Sequence, residues 1–193
     1  MLCLLETMSD VKPEWNIKIE ELKQATTLMA LIMVAWQLAR MLAVELVEDV
    51  LTKRAQVKTE WECCEKCGKR LRSKGFKPRQ LKSIIGVISW ERRVGRCPNK
   101  CAIGQVAPLD KELGLASNQK SDKGVQQVAC LVALFVPYET AAMLINQLTG
   151  STVSPQAIWD WVQSAGAGLM KNLEEELNAL AAGELPVAET MSA

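Results

Sequence analysis

There is no histidine among the 193 residues. That removes the side chain that most often serves as general base or metal ligand near neutral pH, and with it Ser-His-Asp and Cys-His nucleophilic arrangements. Glycine and proline are missing from Glu14 to Val57, so nothing there interrupts a helix by its backbone alone. Acidic residues are nearly missing from residues 65–100, where only Glu65 and Glu91 stand among 12 Lys/Arg. The opening stretch Met1–Asp10 lacks the basic segment of a secretory signal.

The small overall charge of +1 therefore hides three blocks. Residues 1–64 carry 7 Lys/Arg against 10 Asp/Glu, residues 65–100 have a net charge of +10, and residues 101–193 carry 4 Lys/Arg against 10 Asp/Glu. A central segment this basic repels itself, and the partner that relieves it is anionic, most often a phosphate backbone.

Five of the seven cysteines lie in or beside that basic block. Cys63-Cys64-Glu65-Lys66-Cys67-Gly68 and Cys97-Pro98-Asn99-Lys100-Cys101 are two close pairs flanking a segment with strand character. A short turn aims two thiolates at one ion, Gly68 permits φ > 0 so that amides turn towards sulfur, and two such turns complete a tetrahedral shell. Either Cys63 or Cys64 can pair with Cys67; the tighter spacing favours Cys64, which makes Cys64, Cys67, Cys97 and Cys101 the expected ligands. An all-sulfur tetrahedral site suits Zn2+ in a structural role, with an Fe–S centre or a bare thiol cluster as alternatives. Cys3 and Cys130 read as ordinary thiols. An odd cysteine count with paired knuckles fits a reducing cytoplasm.

Residues 14–57 read as one long helix or a helix pair. Leu28, Leu31, Ile32, Ala35, Leu38, Ala39, Leu42 and Leu46 follow the 3 and 4 spacing of one face, as expected of a helix buried in a core or in a dimer seam. Gln37 and Arg40 interrupt the apolar run at its middle, where an arginine costs about 2.5–3.5 kcal/mol in a bilayer, so a membrane span is not expected. From Leu81 to Val94 the period changes to two, with Ile88, Trp90, Arg92 and Val94 alternating against Ser89, Glu91 and Arg93; this predicts two short strands around Gly86. A hairpin between two cysteine knuckles is a zinc ribbon.

After Pro108 the helical pattern returns. Val125–Val136 and Glu139–Leu148 read as helices, the second with a stripe of Ala141, Ala142, Leu144, Ile145 and Leu148. Gly150 stops it, and Ser154-Pro155 supplies an N-cap and a first-turn proline for a third helix to about Ala165. An acidic amphipathic segment from Leu169 to Ala182 follows Gly166 and Gly168. Helix, glycine turn and capped helix form a helix-turn-helix pattern that buries Ile158, Trp161 and Val162 and turns Pro155, Gln156, Trp159, Asp160 and Gln163 outward. Gln156 suits adenine N6/N7 in a major groove.

Three runs carry a resemblance. Cys64–Leu81, with its Cys64-Glu65-Lys66-Cys67-Gly68-Lys69-Arg70 start, Gly86–Asn99, with Ser89-Trp90-Glu91-Arg92-Arg93 and Cys97-Pro98-Asn99, and Val153–Val162, with Ser154-Pro155-Gln156-Ala157-Ile158-Trp159, resemble the N-terminal half of ISKra-type insertion-sequence transposases. The likeness runs from about Leu38 onward. It implies a DNA-binding module that recognises the ends of a mobile element, joined in fuller relatives to an RNase H-like catalytic domain whose three acidic residues hold two Mg2+. Fuller relatives continue past the stretch equivalent to Gly183–Val187 into the catalytic fold, whereas this sequence ends at Ala193, and Glu174, Glu175 and Glu176 are consecutive on a helix, so DNA binding without strand transfer is expected.

The expected fold is mainly α with a small β zinc ribbon: an N-terminal helical segment over residues 1–60, a four-cysteine ribbon over 61–110, a helix-turn-helix bundle over 111–182 and a linker over 183–193. Lys69, Arg70, Arg72, Lys74, Lys77, Arg79, Arg92, Arg93 and Arg96 are the expected phosphate contacts on double-stranded DNA, and Ser154, Gln156, Trp159 and Gln163 those of the capped helix. A homo-oligomer through the long helix is expected alongside DNA. The alternative is a helical homo-oligomeric interaction protein with a structural zinc knob.

Overall fold

A computed structural model describes residues 13–101 and 105–182; Cys3 and residues 183–193 lie outside these. The chain divides into two compact units, Met1–Val125 with Gln147–Ser151, and Gln126–Asn146 with Thr152–Ala193.

The first unit begins with the helix pair α1 (Pro13–Gln24) and α2 (Leu28–Gln56). Their boundary needs neither glycine nor proline. Thr27 leaves the helical region at φ −117°, ψ 149°, and its Oγ1 accepts from the Ala30 amide at 3.2 Å, which satisfies one of the open amides of a new first turn. Trp15 and Ile19, one turn apart on α1, are buried against Leu38 of α2. At 29 residues, α2 is about 43 Å long at 1.5 Å per residue.

Strands β1 (Arg72–Ser83) and β2 (Gly86–Arg96) form one antiparallel hairpin, with Leu81 opposite Ile88, Arg79 opposite Trp90 and Arg72 opposite Arg96. The predicted pair around Gly86 is present, but β1 starts nine residues before the expected Leu81, at Arg72. Gly86 takes φ +135°, and the Ser83 hydroxyl closes the turn by donating to Gly86 O at 2.8 Å. Pro78 is tolerated because a two-stranded sheet leaves each strand one open edge. The pairing slips between Ser73 and Phe76, where Gly75 takes φ +82°.

A lone hairpin is marginal in water. Here α2 covers one of its faces: Leu51 and Ala55 pack with Leu81, Ile88, Trp90 and Leu109 in a common core, the last from the short helix α3 (Pro108–Glu112). Each fully buried Leu or Ile contributes about 1.5–3 kcal/mol.

Of the two places expected for the apolar face of the long helix, a core or a dimer seam, the core within one chain needs correcting. Of α2, only Leu38, Leu51 and Ala55 are buried; Leu28, Ile32, Leu42 and Leu46 of the predicted core face are exposed. The reason is geometric: α1 and the hairpin pack on the opposite side of the helix.

The second unit takes its helices from α4 (Lys123–Ala133), α5 (Tyr138–Thr149) and α6 (Pro155–Ala181). Ala129, Ala141, Ile145 and Ile158 are completely buried, so the stripe read on α5 faces inward, Leu148 excepted. Ser154 caps α6 as expected, its Oγ accepting from the Ala157 amide at 3.2 Å. The helix does not stop at Ala165 but runs 27 residues through Gly166 and Gly168. Each helical glycine costs about 1 kcal/mol, which the propensity of the following Leu, Met, Lys and Glu residues offsets.

Candidate functional site

The hairpin carries its first cysteine pair just before β1 and its second just after β2, so antiparallel pairing of Arg72 with Arg96 brings both pairs to the same end. Each pair is set by a local turn. In the first, the Gly68 amide donates to Cys64 O at 2.8 Å, the Cys64 amide donates to Lys69 O at 2.9 Å, and Gly68 takes the expected positive φ of 67°. In the second, the Lys100 amide donates to Cys97 O at 3.1 Å and Lys100 itself takes φ 54°.

The result is a cluster in which the sulfurs of Cys64, Cys67, Cys97 and Cys101 all lie within 4.8 Å of one another. Cys67 and Cys97 Sγ are 3.4 Å apart. Tetrahedral Zn–S bonds of about 2.3 Å place sulfurs about 3.8 Å apart, inside this range. Four cysteines could thus hold a metal ion, and the donor set is compatible with zinc. The choice between Cys63 and Cys64 falls to Cys64, which is 3% exposed and in the cluster, whereas Cys63 is exposed outside it. Leu71, Trp61 and Val106 pack around the sulfurs and shield them from water.

The thiols are electrostatically unequal. Burial pushes Cys97 up, but hydrogen bonding to Cys67, to the Cys101 and Asn99 amides and to Cys64 prevails and brings it down to about 6. Cys101, hydrogen-bonded to Cys67 and Cys97 and partly desolvated, is pushed up to about 12. One thiolate forms readily and further ones are opposed by it, a burden that a bound cation removes.

Of the nine expected phosphate contacts, Lys69, Arg70, Arg72, Lys74, Lys77 and Arg96 are exposed. Arg79 is a correction. It is 7% exposed, donates to the carbonyls of Ser117 at 2.7 Å, Ala116 at 2.7 Å and Gln119 at 3.0 Å, and lies 3.4 Å from Asp110 Oδ2. Its place on the inner face of β1 turns it away from any external phosphate. Arg92 is half-buried and donates to Asp110 Oδ2 at 2.7 Å and to the carbonyls of Lys77 and Pro78. Arg93 stacks over Phe76 at 4.9 Å and donates to Gln56 O at 3.4 Å. These two arginines act first inside the fold.

Asp110, the buried carboxylate that joins Arg79 and Arg92, had no signature in the sequence, because its partners lie 18 and 31 positions away.

On α6, Ser154, Gln156, Trp159 and Gln163 are exposed, Ile158 is buried, and Trp161 and Val162 are half-buried, as the helical period predicts. Gln156 Nε2 donates to Asp160 Oδ1 at 3.0 Å. Glu174, Glu175 and Glu176 are exposed and consecutive, so their carboxylates diverge by about 100° each. Cys130 on α4 is half-buried, and burial raises its thiol, which makes it a poor nucleophile.

The chain matches no protein-family model and no curated protein.

Proposed function

We propose that this protein binds double-stranded DNA through a zinc ribbon and a helix-turn-helix, in the manner of the end-recognition half of an insertion-sequence transposase. The observation that carries the reading is the junction of the four-thiol cluster with exposed cations on one hairpin end. Arg72 and Arg96 are paired across the strands directly beside the cysteine turns, with Lys69, Arg70 and Lys74 close by in sequence and all exposed. Zn2+ at Cys64, Cys67, Cys97 and Cys101 would hold the two turns in place, and the hairpin would present its cations to successive phosphates. Phosphate contacts position a protein on a duplex, whereas base edges specify its site.

Specificity in this reading comes from α6. Gln156 and Trp159 stand on its first turns, exposed, and Gln156 exchanges its bond to Asp160 for an adenine edge on docking. The exposed, diverging Glu174–Glu176 carboxylates offer no convergent two-metal site, so the proposed role is recognition in the cytoplasm and not strand cleavage.

The test is fluorescence-anisotropy binding of the Zn2+-loaded protein to a duplex carrying the terminal repeat of the encoding element, against a scrambled duplex, over a salt series. Tighter binding to the repeat, with log K falling linearly in log salt, supports the reading. Equal binding to both duplexes, or binding insensitive to salt, refutes it.

A further inference from the structure

Helix α2 is turned inside out relative to an ordinary surface helix. Every exposed residue from Leu28 to Val47 is apolar, while Gln37, Arg40, Glu45 and Glu48 are half-buried on the protein side. Those four line a cleft of about 380 Å³, and Glu48 accepts from the Ser89 amide at 2.7 Å. The outward face is therefore the apolar one.

Ten large apolar side chains between Leu28 and Val50 are exposed, from 36% at Val47 to 74% at Leu28. Together they present on the order of 800 Å², beyond the roughly 300–600 Å² of the largest patch on a typical monomer. It is comparable with the roughly 800 Å² that each partner contributes to a stable interface.

We infer that this face is a homodimer interface, covered by α2 of a second copy of the chain. Three features choose that occupant. The face carries no exposed charge between Leu28 and Val47, so it offers nothing for a charged partner to recognise. Its centre is low: Ala35 and Ala39, one turn apart and exposed, lie between the larger Ile32 and Leu42, a profile that lets two helix backbones approach closely. A twofold axis through this low centre sets the alanines of the two protomers against each other, with the larger side chains meeting on either side, which makes the patch self-complementary.

By length and composition α2 is also apolar enough to cross a membrane. A span, however, would carry the hairpin packed against Leu51 and Ala55 towards hydrocarbon, and a helix lying in the interface would need basic residues along its polar side. That side is occupied by protein instead.

Sedimentation equilibrium of the full-length, Zn2+-loaded protein without detergent or DNA tests the inference. The expected mass is twice 21.3 kDa at micromolar concentration. Leu46→Glu and Ala39→Glu, both at exposed positions, are expected to halve that mass while circular dichroism stays unchanged; Ile32→Gln decides should either lose its fold. A wild-type monomer at 100 micromolar, or a dimer that survives all three substitutions, overturns the inference. So does a wild-type protein that stays monomeric in buffer but floats with phosphatidylcholine vesicles. Because no duplex is present, failure here is separate from failure of the DNA reading.

Discussion

Arg92 Nε donates to Asp110 Oδ2 at 2.7 Å, and Arg79 Nη1 approaches the same oxygen at 3.4 Å, so one buried carboxylate holds two strands of the hairpin to α3. Removing one member of a buried charge cluster costs about 3–5 kcal/mol, because the charges left behind keep their desolvation penalty. Asp110→Asn is expected to lower unfolding stability by that amount in urea titrations of the metal-loaded protein. Arg79→Met should cost more than Arg92→Met, since it strands the carbonyls of Ala116, Ser117 and Gln119. Equal stability of Asp110→Asn and the parent would show that the cluster does not bind the hairpin to α3.

The same burial separates structural from DNA-facing arginines. Arg72→Ala with Arg96→Ala should leave stability within about 0.5 kcal/mol of the parent, since both residues are exposed. The slope of log K against log salt should fall by about two units, one for each lost phosphate contact. Arg79→Ala should behave oppositely, with a damaged fold and, in the fraction that remains folded, an unchanged slope. A double variant at Arg72 and Arg96 with an unaltered slope would remove the hairpin end from the interface.

What could be read from the chain beforehand divides along the range of the interactions involved. The alternation of Ile88, Trp90 and Val94, the glycine at the hairpin turn, the Ser154-Pro155 cap and the turn within each close cysteine pair all rest on neighbours a few residues away, and each took its expected place. Features governed by distant partners did not show. Arg79 looked like one more cation in a basic run until Asp110 and the carbonyls of residues 116–119 came to meet it. The α2 face read as the stripe of a core or of a dimer seam, because periodicity shows that a helix has an apolar side without saying what covers it. The α6 glycines marked a stop by composition, yet a long helix absorbed them.

Gly95 illustrates a constraint of close approach. A Cβ built there would overlap the Cζ3 edge of the Trp61 ring, which packs beside the cysteine cluster. Gly95→Ala should therefore destabilise by about 1–3 kcal/mol, as overpacking does. Combining it with Trp61→Leu should cost less than the sum of the single changes, a coupling that a double-mutant cycle in denaturant measures directly. Strict additivity would mean that Trp61 does not sit on Gly95 in solution.

The N-cap of α6 can be weighed separately. Ser154→Ala removes the acceptor for the Ala157 amide and should cost about 0.5–2 kcal/mol, with Ser154→Asp restoring most of it. Thermal melts of the three proteins compare them; an Ala variant as stable as the parent would show that water caps the helix equally well.

Metal loading ties the cluster to pH. The ligands must be thiolates, so binding displaces every proton the sulfurs still hold, and affinity falls as the medium becomes more acidic. At pH 7 Cys97, at about 6, is already largely ionised, while Cys101, at about 12, must lose its proton to the ion. Below pH 6 Cys97 is protonated too, which adds one more displaced proton and steepens the loss of affinity. Competition with a chromogenic chelator between pH 8 and pH 5 should show Zn2+ affinity falling with pH, by about tenfold per unit for each proton displaced, and more steeply below pH 6. Chelation should unfold the hairpin end, because in small metal sites the binding free energy is folding free energy. Cys67→Ser should lose tight stoichiometric binding and Cys63→Ser should keep it. If both substitutions leave loading unchanged, the four sulfurs that meet in the structure are not the ligands.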